Sequence, residues 1–194
     1  MNIERLLMGS VYKQQLNDWI ATLDVKANLV LDIGGSQSPI KGRTKTWAVK
    51  EYKIVDLEDP HSDAPKPDYA QDMNERLQLK LKADLIFMLG VMDYIINPNI
   101  ALQNIYDLLT DDGAAWIEWP FVYAHHNPIM QEGCRYSEGC LNRLVKQANL
   151  GIVEIVRKMA GSPKLVEFYH EDRQRMARQY PYHGVTGFIT KVAR

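Results

Sequence analysis

Two glycines end an apolar run, Leu29-Val30-Leu31-Asp32-Ile33-Gly34-Gly35-Ser36, and a second apolar run closes on Asp56, 24 positions after Asp32. The first run fits a buried parallel strand, and glycines behind a strand let the backbone turn tightly against a ligand. An acidic residue roughly 20 positions further on can accept hydrogen bonds from ribose hydroxyls. Together the three features read as a site for a nucleotide-containing cofactor. Asp32 lies inside the strand, which suits it to orienting the glycine loop.

A second group of reactive residues follows Trp119-Pro120-Phe121-Val122-Tyr123. His125 and His126 sit behind a strand whose carboxyl end faces the ligand side in an open α/β sheet. A histidine there can serve as general base on a hydroxyl or amine, because its pKa lies near neutrality. Solvent-exposed loop histidines account for the same residues equally well. With Cys134 and Cys140 they make the spacing His-His-x7-Cys-x5-Cys, which matches none of the usual zinc patterns, so no metal is expected.

The elements that must position these residues alternate along the chain, and that alternation predicts an α/β fold with a mostly parallel sheet. Ile3 to Leu23 has helical apolar spacing. Strands are predicted at Asn28 to Ile33, Tyr52 to Val55, Ala83 to Leu89 and Ala114 to Trp119. Ile100 to Leu109 reads as a helix closed by a turn at Asp111-Asp112-Gly113. A helix from about Ser137 to Ala148 starts on a residue suited to an N-cap. Strand-like runs at Ile152 to Val156 and Val185 to Val192 bring the runs read directly to six, with charged Glu167 to Gln179 between them as a surface helix. Pro60, Pro65 and Pro67 make His61 to Asp68 a loop.

The 194 residues, 46% of them hydrophobic, suffice for one core, so a single domain is expected, with residues 1–24 as a helix ahead of a 25–194 core. A net charge of -1 gives no global field for nucleic acid or an anionic membrane. No apolar run approaches the roughly 18 to 20 residues that span a bilayer, and the amino terminus lacks a signal pattern, which predicts a cytoplasmic protein with reduced cysteines.

The order of these motifs resembles the class I S-adenosylmethionine-dependent methyltransferases, from about Val25 to Val192. Val30-Leu31-Asp32-Ile33-Gly34-Gly35-Ser36-Gln37-Ser38 is similar to the family's glycine-rich first motif. Ile54-Val55-Asp56 resembles the strand whose carboxylate holds the cofactor ribose. Asp68-Tyr69-Ala70-Gln71-Asp72 resembles the segment that meets the adenine amino group, with either aspartate able to serve. Ala83 to Tyr94 is similar to the fourth-strand motif lining the reaction centre, Leu108 to Gly113 to the loop before the fifth strand, and Arg135-Tyr136-Ser137 to a helix start in small bacterial and phage members.

The resemblance implies a Rossmann-like three-layer sandwich whose seven-stranded sheet has its last strand antiparallel, with S-adenosylmethionine as cofactor. It places the cofactor on Asp32, Gly34, Gly35, Ser36, Asp56, Asp72, Leu89 and Gly90, and the substrate pocket at Asp93, Tyr94 and Tyr123. It departs from the family at Ser36 and Ser38, where glycine is common. A serine hydroxyl, or backbone amides at a following helix start, can still hold the methionine carboxylate. The implied reaction is direct displacement at the sulfonium methyl, in which alignment supplies most of the rate. Motifs of adenine-amino and cytosine-carbon enzymes are missing, so a hydroxyl or amine of a glycan, small metabolite or protein is the expected acceptor. A noncatalytic cofactor-binding or scaffolding subunit is the alternative. A nicotinamide enzyme would require glycine at Ser36 and Pro39.

Overall fold

The computed structural model describes residues 11–59, 64–120, 134–159 and 182–192. Its elements run α1 (Val11–Ile20), β1 (Asp24–Ile33), β2 (Thr46–Asp56), β3 (Tyr69–Ala70), β4 (Ala83–Met88), a 3-10 turn (Met92–Tyr94), α2 (Pro98–Leu108), β5 (Leu109–Pro120), α3 (Glu138–Gln147), β6 (Leu150–Met159) and β7 (Tyr182–Lys191). The seven strands form one sheet in the order β3-β2-β1-β4-β5-β7-β6. The pairs from β3 through β5 are parallel, and β7 runs antiparallel to both β5 and β6. Both the parallel sheet and its antiparallel last strand agree with the sequence.

The sheet is covered on two faces, giving three layers. Leu16 and Ile20 of α1 pack with Val30, Phe87 and Trp116 on one face. On the other, Leu102 and Ile105 of α2 and Leu141 and Val145 of α3 cover Leu31, Ile33, Ile86, Met88 and Ile117. The helices form for local reasons. Pro98 occupies the first turn of α2, where its missing N–H costs nothing, and Ala101, Leu102, Ile105 and Leu108 make its buried stripe. Ser137 caps α3 by accepting the Cys140 N–H at 3.3 Å, as its residue type predicts.

Three expectations are corrected. First, β1 and β2 begin earlier than their apolar runs: pairing starts at Asp24 with Thr46. Asp24 accepts from the Thr46 hydroxyl at 2.8 Å and pairs with Lys45 at 3.2 Å, so polar side chains carry the strand start. Second, Asp111-Asp112-Gly113 is not a turn closing α2. Leu108 passes directly into β5, and residues 110–113 bulge from it: the ladder steps from Ala83–Leu109 to Leu85–Ala114. Gly113 is demanded there, since a Cβ would lie 2.9 Å from the Ala83 carbonyl oxygen. Lys191 steadies the bulge by donating to the Leu109 carbonyl at 2.9 Å.

Third, no helix follows β1. Residues 34–45 cross to β2 through turns alone, and residues 71–82 link β3 to β4 without a helix. Pro39 cannot donate and drives Ser38 toward extended backbone, and Gly42 takes a φ of +86°, so the segment lacks helical continuity. The segment therefore presents no amides of a helix start behind the glycine loop. Helix Ile3 to Leu23 is observed over Val11–Ile20, and residues 1–10 lie outside the described residues.

Candidate cofactor site at the carboxyl ends of the parallel strands

The glycine loop is built by the protein's own packing. Gly34 has a φ of +76°, and a Cβ there would lie 2.2 Å from Val91 Cγ2. Its N–H donates to the Val55 carbonyl at 2.8 Å, which ties the loop to β2. A Cβ on Gly35 would lie 2.4 Å from the Asp32 carboxyl. The two glycines thus let the loop settle onto Val91 and onto the aspartate beneath it.

Asp32 is 4% exposed, and one of its oxygens accepts from the Ile40 N–H at 2.7 Å and from the Tyr52 hydroxyl at 2.6 Å. Burial pushes its pKa up to about 6, while those two donors and the nearby Arg43 oppose the rise. Burial beside the same carboxylate raises the Tyr52 hydroxyl well above its ordinary value. Arg43 in turn donates to the Ser38 carbonyl at 2.9 Å and to Asn17 of α1 at 2.7 Å. Asp32 therefore fixes the crossover that follows the glycine loop.

Asp56, at the end of β2, reaches the loop from the side. One of its oxygens accepts the Ser36 N–H at 3.1 Å and the other the Leu57 N–H at 2.8 Å. Each carboxylate oxygen has a further lone pair for an added donor. Ser36 is 1% exposed, and its hydroxyl is buried with no hydrogen-bond partner, which sets it apart from the satisfied groups around it.

Asp68 and Asp72 separate by role. Asp68 accepts from the Ile54 N–H at 2.8 Å and pairs with Lys53 at 3.2 Å, so it braces β2. Asp72 is exposed just beyond β3 and accepts the Asn74 N–H at 2.8 Å. Leu89 is half-buried and Gly90 exposed after β4; Gly90 has a φ of +72° and open space where a Cβ would stand. Asp93 is buried and Tyr94 half-buried in the 3-10 turn. The structure joins Ser36 to Asp56 by a direct hydrogen bond, ties Gly34 to the neighbouring Val55 carbonyl, and sets Val91, beside Gly90, against the same loop. Tyr123, His125 and His126 lie outside the described residues, as does the segment Glu167 to Gln179.

Asn74 escapes a motif search, and Tyr136 stands in a motif that reads only as a helix start. Asn74 accepts the Ile96 and Asn97 N–H groups at 2.8 and 3.2 Å, which ties the segment after the 3-10 turn to the segment after β3. Tyr136 is buried, stacks edge-to-face on Trp119 with ring centres 5.3 Å apart, and donates to the Ile95 carbonyl at 3.1 Å. The one sequence signal was the Asp-x-Asn spacing of 72 and 74, which favours a local side-chain turn. Among the described residues no three His, Cys, Asp or Glu side chains gather as a metal site, and Cys134 and Cys140 are free thiols.

No family model matches the chain, and no curated protein matches it in sequence. Solved structures do match. A chain from a complex of the Haloferax volcanii Trm112 methyltransferase activator with a candidate methyltransferase superposes at a TM-score of 0.64 and 15% identity, covering 94% of this chain and 90% of that one. An S-adenosylmethionine-dependent methyltransferase from Clostridium acetobutylicum gives 0.60 at 12% identity, with 94% and 90% covered. The Burkholderia thailandensis 1,6-didemethyltoxoflavin-N1-methyltransferase, solved with S-adenosylhomocysteine, gives 0.57 at 15% identity, with 94% and 77% covered. The chain has the fold of the class I methyltransferases, as its motifs suggested. No helix among the described residues is long and apolar enough to cross a membrane.

Proposed function

We propose that this protein is an S-adenosylmethionine-dependent methyltransferase that transfers a methyl group to a hydroxyl or amine of a glycan, small metabolite or protein by direct displacement. The observation that carries the reading is the Asp56–Ser36 junction. A carboxylate at the end of β2 is hydrogen-bonded to the glycine loop at the end of β1, beside a buried serine hydroxyl with no partner. In an open α/β sheet that crevice outside the strand ends is where nucleotide ligands bind.

The residues fit the cofactor. Asp56 keeps lone pairs for ribose hydroxyls, Ser36 offers a hydroxyl to a carboxylate, and exposed Asp72 can accept from an adenine amino group. When bound, the cofactor supplies a methyl group on positively charged sulfur, open to displacement. The chain's part is to hold and align: Asp32 fixes the loop through Ile40 and Tyr52, and Leu89, Gly90, Asp93 and Tyr94 border the space where an acceptor would approach. His125 or His126 is proposed as the base when the acceptor carries a proton in its reactive state, and Tyr123 as a residue of the acceptor pocket.

A second reading is favoured by one observation: no helix follows the glycine loop, so no helix amino terminus stands behind it. A chain so built could be a cofactor-binding subunit that a partner completes, and one structural neighbour is itself part of a complex with an activator protein. The two readings separate by label transfer. With methyl-tritiated S-adenosylmethionine and a panel of hydroxyl- and amine-bearing acceptors, the first reading expects label in one acceptor class. Binding of S-adenosylhomocysteine without transfer to any class would replace it with the second.

A further inference from the structure

We infer that Asn74 is a positioning residue that joins the adenine-binding side of the site to the acceptor side, so that the two respond as one unit to cofactor. The inference rests on the cofactor reading above and assigns a coupling role within it. Asn74 is half-buried in the connection from β3 to β4, and both ends of its side-chain amide are engaged. Its oxygen accepts the backbone N–H groups of Ile96 and Asn97 at 2.8 and 3.2 Å. Its nitrogen donates to the Asp72 carboxylate at 3.1 Å and to the Tyr94 carbonyl at 3.4 Å. One short side chain therefore touches the proposed adenine acceptor and the backbone on both sides of Ile95, next to Asp93.

The surroundings show that this junction is built at a cost elsewhere. Asn97 occupies the N-cap of α2, where an asparagine side chain usually accepts a helix N–H, yet it makes no such bond. Its amide instead donates to the Asn74 carbonyl at 3.3 Å. The same segment is anchored behind Asn74 by buried Asn104 of α2, whose amide donates to the Glu75 carbonyl at 2.7 Å and whose oxygen accepts the Leu77 N–H at 3.2 Å. Tyr136 holds the other side through the Ile95 carbonyl. The segment 72–77 is thus a rigid strap between the crevice and α2, and Asn74 is its point of contact with the 3-10 turn.

Both Asn74 donors fall on one oxygen of Asp72, so a ligand donor on the other oxygen holds the carboxylate in the position that Asn74 engages, and the Asn74 oxygen carries that ordering to Ile96 and Asn97. Energetic coupling of this kind changes affinities by roughly 5- to 150-fold. The test is amide hydrogen exchange of Asn74→Ala, Asn74→Asp and wild-type protein, with and without S-adenosylhomocysteine, together with the affinity for that ligand by calorimetry. In wild type, S-adenosylhomocysteine should slow exchange at Ile96 and Asn97. In Asn74→Ala both amides should exchange at least about tenfold faster, the ligand should no longer slow them, and affinity should fall about tenfold. Asn74→Asp retains an acceptor for the two amides but loses the donor to Asp72. It should restore their basal protection without restoring affinity, a split that general loss of stability would not produce. Equal ligand protection at Ile96 and Asn97 in wild type and Asn74→Ala overturns the coupling while leaving the cofactor reading intact. Failure of S-adenosylhomocysteine to bind wild type overturns both.

Discussion

The two halves of the sheet are held by different forces. Around β4 and β5 the parallel strands are covered by α2 and α3, whose Leu102, Ile105, Leu141 and Val145 are buried against an aliphatic face. Around β1, β2 and β3 the described crossover residues carry no helix, and carboxylates do the tying: Asp32 holds Ile40 and Tyr52, Asp56 holds Ser36, and Asp68 holds Ile54. The contrast teaches how a parallel sheet can lose its crossover helices. Loop backbone that would otherwise be unsatisfied is bonded to side-chain oxygens, at the expense of burying an ionisable group. One half should therefore respond to cavities and the other to pH.

The largest expected effect lies in the helix-covered half. Leu102→Ala removes a fully buried side chain and should cost about 2–5 kcal/mol in chemical denaturation. That loss should be the same at pH 7 and pH 4. A loss that varied with pH would erase the distinction between the halves.

Asp32→Asn probes the other half. The folded-state pKa of Asp32 is raised to about 6 from 3.8, so the folded protein binds a proton more readily than the unfolded chain across that interval. The carboxylate's contribution thus becomes more favourable as pH falls from about 6 toward 3.8, and is least favourable above pH 6. Relative to Asp32→Asn, wild type should gain about 2 kcal/mol between pH 7 and pH 4, measured as the difference of two denaturation series. Parallel pH curves for the two proteins would contradict the assignment.

Tyr52→Phe sharpens the same point with a smaller effect. It withdraws one donor from the buried carboxylate and should cost about 1–3 kcal/mol at pH 7. At pH 4 the cost should shrink, because a protonated carboxyl no longer depends on that hydroxyl. A cost independent of pH would mean that the ring, which packs edge-to-face on Trp47, matters more than its hydroxyl.

The legibility of the sequence follows the same division. Leu29 to Ile33 and Ala83 to Met88 are apolar because they are buried on both faces, so their strands could be read directly. The first turns of β1 and β2 could not, since Asp24, Lys26 and Lys50 are exposed and carry no apolar signal. The missing crossover helix was hinted at only by Pro39 and Gly42. Asp111-Asp112-Gly113 has the composition of a turn, and only pairing with β4 and the Lys191 bond make it a bulge. At the site, Gly34 and Asp56 stood out because chain geometry restricts their types. Asn74 did not, because nothing in its local sequence reveals partners 20 or more positions away.

The central claim is that the Asp56–Ser36 junction is a nucleotide-cofactor site, and calorimetric titration of S-adenosylhomocysteine into wild type and Asp56→Ala tests it most directly. One ligand should bind per wild-type chain, and Asp56→Ala, still folded by circular dichroism, should bind at least about 100-fold more weakly, in line with the loss of charged-group hydrogen bonds. No binding by wild type, or equal affinity in the two proteins, would contradict the account.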